Sequence, residues 1–549
     1  MTELGVASWI PLPDRSLYSW VHRPQNGEAK GAVVIAPPLA REQVISYRTL
    51  RMLAIELARQ GWVAIRFAWT GTGESAEMPE GADPAALWKE DLAAVTEFAG
   101  TLVGTDRVHA IGLRAGAALL AATEAPLQSR LLWEPVGGKI FLRQQSMLRN
   151  VSLDLATVPS TVGTELGGTI YLPHQAKSLA SVVDPAKLPA DALPTGSRVV
   201  IERDQVVARK IYAVASLFAT VPPESLQRLI ELLPGTAESR PVPEWTPVLQ
   251  SEVKVPGFDQ AVIEEILEVG TNKLPGVLSR PLQELPEGSE TVLLVPASAE
   301  PKDGVTALWV LSARRLAAQG VPTIRTERRG SGDLGCPDAV RDPNPYTAEA
   351  VNDIEQSATW LHKRFGGPVT GVGLCAGAWL VGMASEHSPI DRVLMLNNVA
   401  WRDHLGYYHR IYNELDVEEI LAGERRLVEG TEVKTFKSRV KTLLRHFGPY
   451  QVWLALGRRG MINVPEVLME ISSRQAELIM HVGGDDHGLF AMERGEQGLK
   501  RLQKSGRKVE LNVDPSMDHA LLGYTSRVKA IEIIERTLLQ HPAEPSAVR

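Results

Sequence analysis

At 549 residues, 44% hydrophobic and 22% charged, the chain has the size for more than one core and the composition of an ordinary globular protein, which excludes a fibrous or disordered one. A formal net charge of -7 without a Lys/Arg block leaves no footprint for nucleic acid, and two cysteines, Cys336 and Cys375, are too few for a disulfide framework. No apolar run reaches bilayer length and the first residues form no leader, so a cytoplasmic protein with no membrane span is expected.

Trp9 to Pro24 alternates apolar and polar residues around a turn, the pattern of a β-hairpin. A strand at Ala32–Ala36, a helical face through Leu50, Leu53, Leu57 and Ala58, Gly61 as its terminator and a strand at Val63–Phe67 follow. This spacing predicts a parallel sheet with right-handed crossovers. A turn at Gly71-Thr72-Gly73-Glu74 precedes another helix, then the strand and sharp turn Gly112-Leu113-Arg114-Ala115-Gly116.

The same text returns 259 residues later. Pro37 matches Pro296, Gly61 matches Gly320, Arg66 matches Arg325, and Gly71 to Glu74 match Gly330 to Asp333. The Arg114 turn meets Gly373-Leu374-Cys375-Ala376-Gly377 two residues out of that register, and Pro256 to Ala261 falls on Pro515 to Ala520, setting Gln260 opposite His519. The expected fold is therefore α/β, two tandem domains, each a mostly parallel sheet flanked by helices. Their boundary is expected at 278/279, amid Pro275, Pro281, Pro286 and Gly288.

In the second half, Gly373 to Gly377 has the form of a nucleophile elbow with cysteine at its centre. There a strand turns into a helix so sharply that a Cβ on either glycine would clash. The helix N-terminus favours thiolate over thiol. For acyl transfer the chain order is nucleophile, acid, histidine, and Cys375, Asp486 and His519 supply it, with Asp485 as the alternative acid. The oxyanion would meet N–H groups of Ala376 and of the loop near Ser298 and Ala299. The bland readings are a surface His519, turn-forming aspartates and a Cys336 that packs or faces solvent. No metal-ligand spacing occurs, and no cofactor is expected. In the first half Arg114 and Gln260 stand where nucleophile and base belong, and neither can act as one. That half is expected to be non-catalytic, with Arg114 either binding an anion or bridging to Glu202 or Asp204.

With these residues in view the chain resembles the α/β-hydrolase superfamily, and within it the pair of hydrolases associated with the exosortase A system, here fused. The first half resembles one member through Pro13 to Trp20, Arg66 to Ser75, the Arg114 turn and Trp133-Glu134-Pro135-Val136. The second resembles the other through Gly373 to Ala378, Leu396 to Arg402 and Asp518-His519. It departs from the relatives in having Asn398-Val399-Ala400 where they have a proline-containing turn. The Cys375, His519 and Asp486 set points to a hydrolase or acyltransferase acting on an ester or thioester, with an acyl or glycan-derived small-molecule substrate, and the resemblance implies a hydrolase-like protein in the setting of exopolysaccharide metabolism. It also implies helical lids, about 403–474 in the second half and Lys139 to Pro194 in the first, and it aligns the acid with Asp486. The reading from another class is a non-catalytic binding or scaffold protein of a surface-polysaccharide system.

Overall fold

The computed structural model describes residues 5–152, 161–213, 219–234, 238–298, 300–334, 344–414, 445 and 447–540. Two sheets carry the fold. The first contains β1 (Val6–Pro11), β2 (Ser16–His22), β3 (Ala32–Ala36), β4 (Val63–Phe67), β5 (Val108–Leu113), β6 (Ser129–Trp133) and β7 (Ser197–Val200). Its spatial order is β1-β2-β4-β3-β5-β6-β7, antiparallel through β2 and β4 and parallel beyond. The inner strands β3 and β4 are buried at every position, as strands covered by helices on both faces must be.

The second sheet contains β8 (Gln250–Val253), β9 (Val262–Val269), β10 (Leu274–Pro281), β11 (Ser289–Val295), β12 (Thr323–Thr326), β13 (Gly366–Leu374), β14 (Arg392–Leu396), β15 (Glu477–Gly483) and β16 (Val509–Asp514). Its order, β8-β9-β10-β12-β11-β13-β14-β15-β16, repeats the first sheet from β9 to β15 and adds one strand at each edge. Both sheets are mostly parallel and flanked by helices, an α/β architecture. Helices α1 (Arg41–Arg59), α2 (Pro84–Val103) and α3 (Ala115–Ala121) pack on the first sheet. Helices α4 (Leu308–Ala318), α5 (Ala348–Phe365) and α6 (Ala376–Ala384) pack on the second. Among the described residues no helix is long and apolar enough to cross a membrane.

Two expectations change here. Residue 278 lies inside β10, which pairs with β9 and β12, so the prolines taken for a linker sit near the ends of a strand, where the ladder tolerates a missing N–H. Gln260 lies in the turn between β8 and β9 and donates nothing to the first sheet; its carboxamide oxygen accepts from Gln283 at 3.5 Å. The match of Gln260 to His519 is a coincidence of register. Among the described residues the first sheet ends at β7 and has no counterpart of β16, the strand that precedes His519.

The halves meet through buried charges. Arg66 on β4 pairs with Asp333 at 2.7 Å, and Arg325 on β12 pairs with Glu74 at 2.6 Å. Glu264 of β9 adds bonds to Arg325 at 2.8 Å and Arg314 at 2.7 Å. Tyr47 donates to Asp333 at 2.7 Å, and the Lys302 ammonium stands 4.8 Å from the Tyr18 ring centre. Asp333 is held below the usual carboxylate range. Burial opposes this, and the charges of Arg66 and Lys302 with the Tyr47 and Arg66 hydrogen bonds outweigh it.

Candidate active site

Strand β13 turns into α6 at Cys375, whose backbone stands at φ 52°, ψ -115°, a region that non-glycine residues rarely occupy. The flanking glycines are dictated by contact. A Cβ at Gly377 would lie 2.3 Å from the Val295 carbonyl oxygen, and one at Gly373 would lie 2.3 Å from the Gly377 backbone. The elbow therefore presses against the end of β11 and lifts the sulfur off the sheet. Cys375 is half-buried at the N-terminus of α6.

His519 follows β16. Its Nδ1 lies 2.8 Å from Asp486 Oδ2 and 2.9 Å from Oδ1, which leaves Nε2 free, and Cys375 is near enough to act on the ring's proton affinity. Burial lowers the imidazole's proton affinity, but the bonds to Asp486 and Cys375 and their charges push its pKa up to about 11. The ring is 41% exposed on its open side. Asp486 is buried in the first turn of α7 (Gly484–Met492), whereas Asp485 beside it faces solvent. The run Gly483 to Asp486 thus starts a helix instead of forming a loop, and the helix aims one aspartate inward and the next outward.

The structure brings Cys375, His519 and Asp486 together, and it leaves Asp485 outside. Ala376 is the first residue of α6, so its N–H has no place in the helix ladder. The Ser298 carbonyl accepts from Arg328 Nη2, while its hydroxyl is buried without a partner among the described residues. Ala299 and Cys336 lie outside the described residues.

Two supports escaped the sequence. Asn397 ends β14 at φ 48° and is fully buried. Its Nδ2 donates to the carbonyls of Asp518 at 2.9 Å and His519 at 3.0 Å, and its Oδ1 accepts the Gly483 N–H at 2.8 Å. One side chain thereby ties the histidine loop to the start of the acid's helix. The second comes from the other half. Glu165, on the hairpin Thr164–Leu166 and Thr169–Tyr171, accepts the N–H of Tyr524 at 2.7 Å, four residues from the end of the His519 loop at Ala520, and Arg149 holds it at 3.1 Å. Asp518 closes the same loop by accepting from Leu522 at 2.8 Å and Gly523 at 2.9 Å. The Asn-Asn pair after β14 was visible as text, but nothing in it announced a clasp between residues 121 and 122 positions away.

In the first half Arg114 occupies the same elbow conformation, φ 56°, ψ -121°. Its guanidinium is no open anion site. Glu42, itself buried, takes Nε and Nη2 at 3.2 Å each, Gln144 accepts from Nη2 at 2.7 Å, and the Tyr212 ring centre lies 4.1 Å away. The bridging partner is Glu42 and not Glu202 or Asp204, because α1 and not β7 faces the elbow. Glu202 instead accepts from Trp133 Nε1 at 2.6 Å.

The segment expected to form a lid holds helices Leu405–Glu414, Tyr450–Arg458 and Pro465–Ser472, with 415–444 and 446 outside the described residues. Tyr408 stacks on Tyr346 and meets Trp379 of α6, and Tyr450 and Trp453 belong to a helical core of their own.

No family model matches the chain, and no curated protein matches it. Among solved structures it is similar to a dienelactone hydrolase from Anabaena variabilis, at 14% identity over 53% of this chain and 98% of that one, TM-score 0.31. It is similar also to EstE7, a hormone-sensitive-lipase homologue from a metagenome library, at 16% identity over 51% of this chain and 87% of that one, TM-score 0.30. The acylaminoacyl peptidase of Pyrococcus horikoshii aligns at 10% identity over 57% of this chain and 46% of its own, TM-score 0.32.

Proposed function

We propose that the second half is a cysteine-dependent acyl hydrolase or acyltransferase acting on an ester or thioester, and that the first half is a non-catalytic support. The observation that carries this reading is the Cys375–His519–Asp486 relay on a strained elbow. The Cys375 sulfur attacks the acyl carbon as the thiolate of an ion pair in which His519 Nε2 already holds the proton, and the oxyanion forms beside the Ala376 N–H. Asp486 holds Nδ1–H, which reserves Nε2 for that proton. Collapse breaks the C–O or C–S bond, the leaving group takes the proton from the imidazolium, and an acyl-cysteine remains. Water or an acceptor hydroxyl then attacks with His519 as base, which regenerates the ion pair. The exopolysaccharide context rests on the motifs around Trp133, Leu396 and Asp518 alone.

An activated acyl probe with mass detection tests the reading. The wild type should form an adduct at Cys375, and Cys375→Ala should form none while unfolding at the same denaturant concentration. Labelling that survives in Cys375→Ala would place the nucleophile elsewhere and leave the scaffold reading standing.

A further inference from the structure

A surface cleft of about 460 Å³ lies on the lid side of the second half, lined by Arg402, His404, Tyr407, Arg410, Arg459 and Met461 among others. Its volume is that of an ordinary small-molecule site. Arg402 is 9% exposed, with its Cζ 3.4 Å from the Tyr407 ring centre and Nη1 donating to the Gly460 carbonyl at 2.9 Å. Its Nε is buried with no partner. Arg410 and Arg459 stand exposed on the rim, and none of the three guanidiniums is in an ion pair with a described carboxylate. The acidic neighbour is Asp403, whose Oδ1 lies 3.6 Å from His404 Nδ1.

Three guanidiniums without a carboxylate partner among the described residues converge on one cleft, a charge arrangement that suits an anion. A carboxylate has two oxygens, which one bidentate arginine satisfies, whereas a phosphate monoester or pyrophosphate carries more oxygens and more charge. The aromatic floor under Arg402 holds that fork in place.

The cleft is coupled to the relay. The Arg402 carbonyl accepts from Trp379 Nε1 at 2.7 Å, and Trp379 lies on α6, the helix that Cys375 caps. Arg402 also ends the segment that begins at Asn397, the clasp on the His519 loop, and five residues span at most about 17 Å. We propose that this cleft is the phosphate subsite of the acyl donor, which carries its acyl group on a flexible arm reaching from the arginines to Cys375. The substrate part of this inference rests on the acyl-transfer reading above; the anion part does not.

The test uses the full chain in phosphate-free, low-salt buffer. Calorimetry with inorganic pyrophosphate on Cys375→Ala protein should give one site, weakened roughly tenfold to a hundredfold when Arg410→Ala and Arg459→Ala are combined, as expected for loss of charged hydrogen bonds. Both residues are exposed, so the fold is spared. On the active enzyme the same pair of changes should raise KM for a phosphate-bearing thioester, acetyl-coenzyme A, and leave kcat/KM for neutral p-nitrophenyl acetate unchanged. Absence of pyrophosphate binding, or binding indifferent to the two arginines, overturns the site. Arginine-dependent binding without any change in the thioester KM would mean a free anion is the ligand and overturns the substrate assignment. Turnover of neither ester would remove the hydrolase reading while calorimetry still decides the cleft.

Discussion

Asn397→Ala is the substitution that separates a placed relay from three side chains that happen to be near. It strips partners from the Gly483 N–H and from the carbonyls of Asp518 and His519. Gly483 is buried, so its orphaned N–H costs about 1–3 kcal/mol. The two carbonyls belong to a loop whose histidine is exposed, and water can replace much of what they lose. Alanine at φ 48° adds about 1–2 kcal/mol of backbone strain that asparagine tolerates better. The expected loss is about 2–5 kcal/mol by urea titration, together with a large fall in Cys375 labelling. Asn397→Asp is the discriminating variant. It keeps an acceptor for Gly483 but sets a buried carboxylate against two carbonyls, so labelling should fall and stability should drop at least as far as in the alanine variant. Variants within about 0.5 kcal/mol of wild type and labelled at its rate would refute the clasp.

Asp486→Asn should slow turnover far more than Asp485→Asn. By removing a main support of the raised imidazole pKa, it should also move the alkaline limb of the pH profile, where the imidazolium proton is lost, to lower pH; equal effects of the two changes would reassign the acid. Glu165→Ala should lower kcat roughly threefold to tenfold with KM unmoved, and Glu165→Gln, which keeps an acceptor for Tyr524, should recover part of it; an unchanged kcat would detach the first half from the site. Removing Arg66 alone should cost about 3–5 kcal/mol, and Arg66→Met with Asp333→Leu should cost less than the sum of the two single changes although it also takes Asp333 from Tyr47 and Lys302; additive losses in a double-mutant cycle would mean the pair is not coupled. Burial and the Glu74 charge raise Asp303 to about 8, so the folded protein keeps a proton that the unfolded chain releases near pH 4. The stability this proton brings is complete below about pH 4 and lost as pH rises to about 8, so Asp303→Asn should gain stability over wild type with rising pH, and a constant difference in Tm would contradict the assignment.

Much of this architecture was legible because it repeats locally. Buried strands, amphipathic helices and glycine turns carry their period within a few residues, and a second copy at constant offset doubles each signal. Cys375, His519 and an aspartate at 485 or 486 were legible from chain order, since β13, β15 and β16 can be counted, and only the resemblance preferred Asp486. What stayed hidden is long-range pairing. Pro275 reads as punctuation until its strand is seen beside β12. Gln260 fits the offset by chance, and only the count of strands shows that the segment belongs before the second sheet. Arg114 meets Glu42, 72 positions back, because α1 crosses over the elbow, a contact with no trace in local text.

The ion pairs between the halves carry the duplication further than the text does. Arg66 and Arg325 are equivalent positions, as are Glu74 and Asp333, and each arginine reaches across to the other half's acid. This is the rule of an isologous interface, where residue i meets j and j meets i, written inside one chain. Two surfaces with the same arrangement of charge therefore face each other. A change on one face leaves a buried charge unpaired on the other, so the face persists while the chemistry drifts. Among the described residues the first half has no counterpart of β16, so Arg114→Cys alone should place a thiol on a strained turn without the loop that brings an imidazole to Cys375. What that half still supplies is support: Glu74 to Arg325, and Glu165 to the N–H of Tyr524 beside the loop that carries His519.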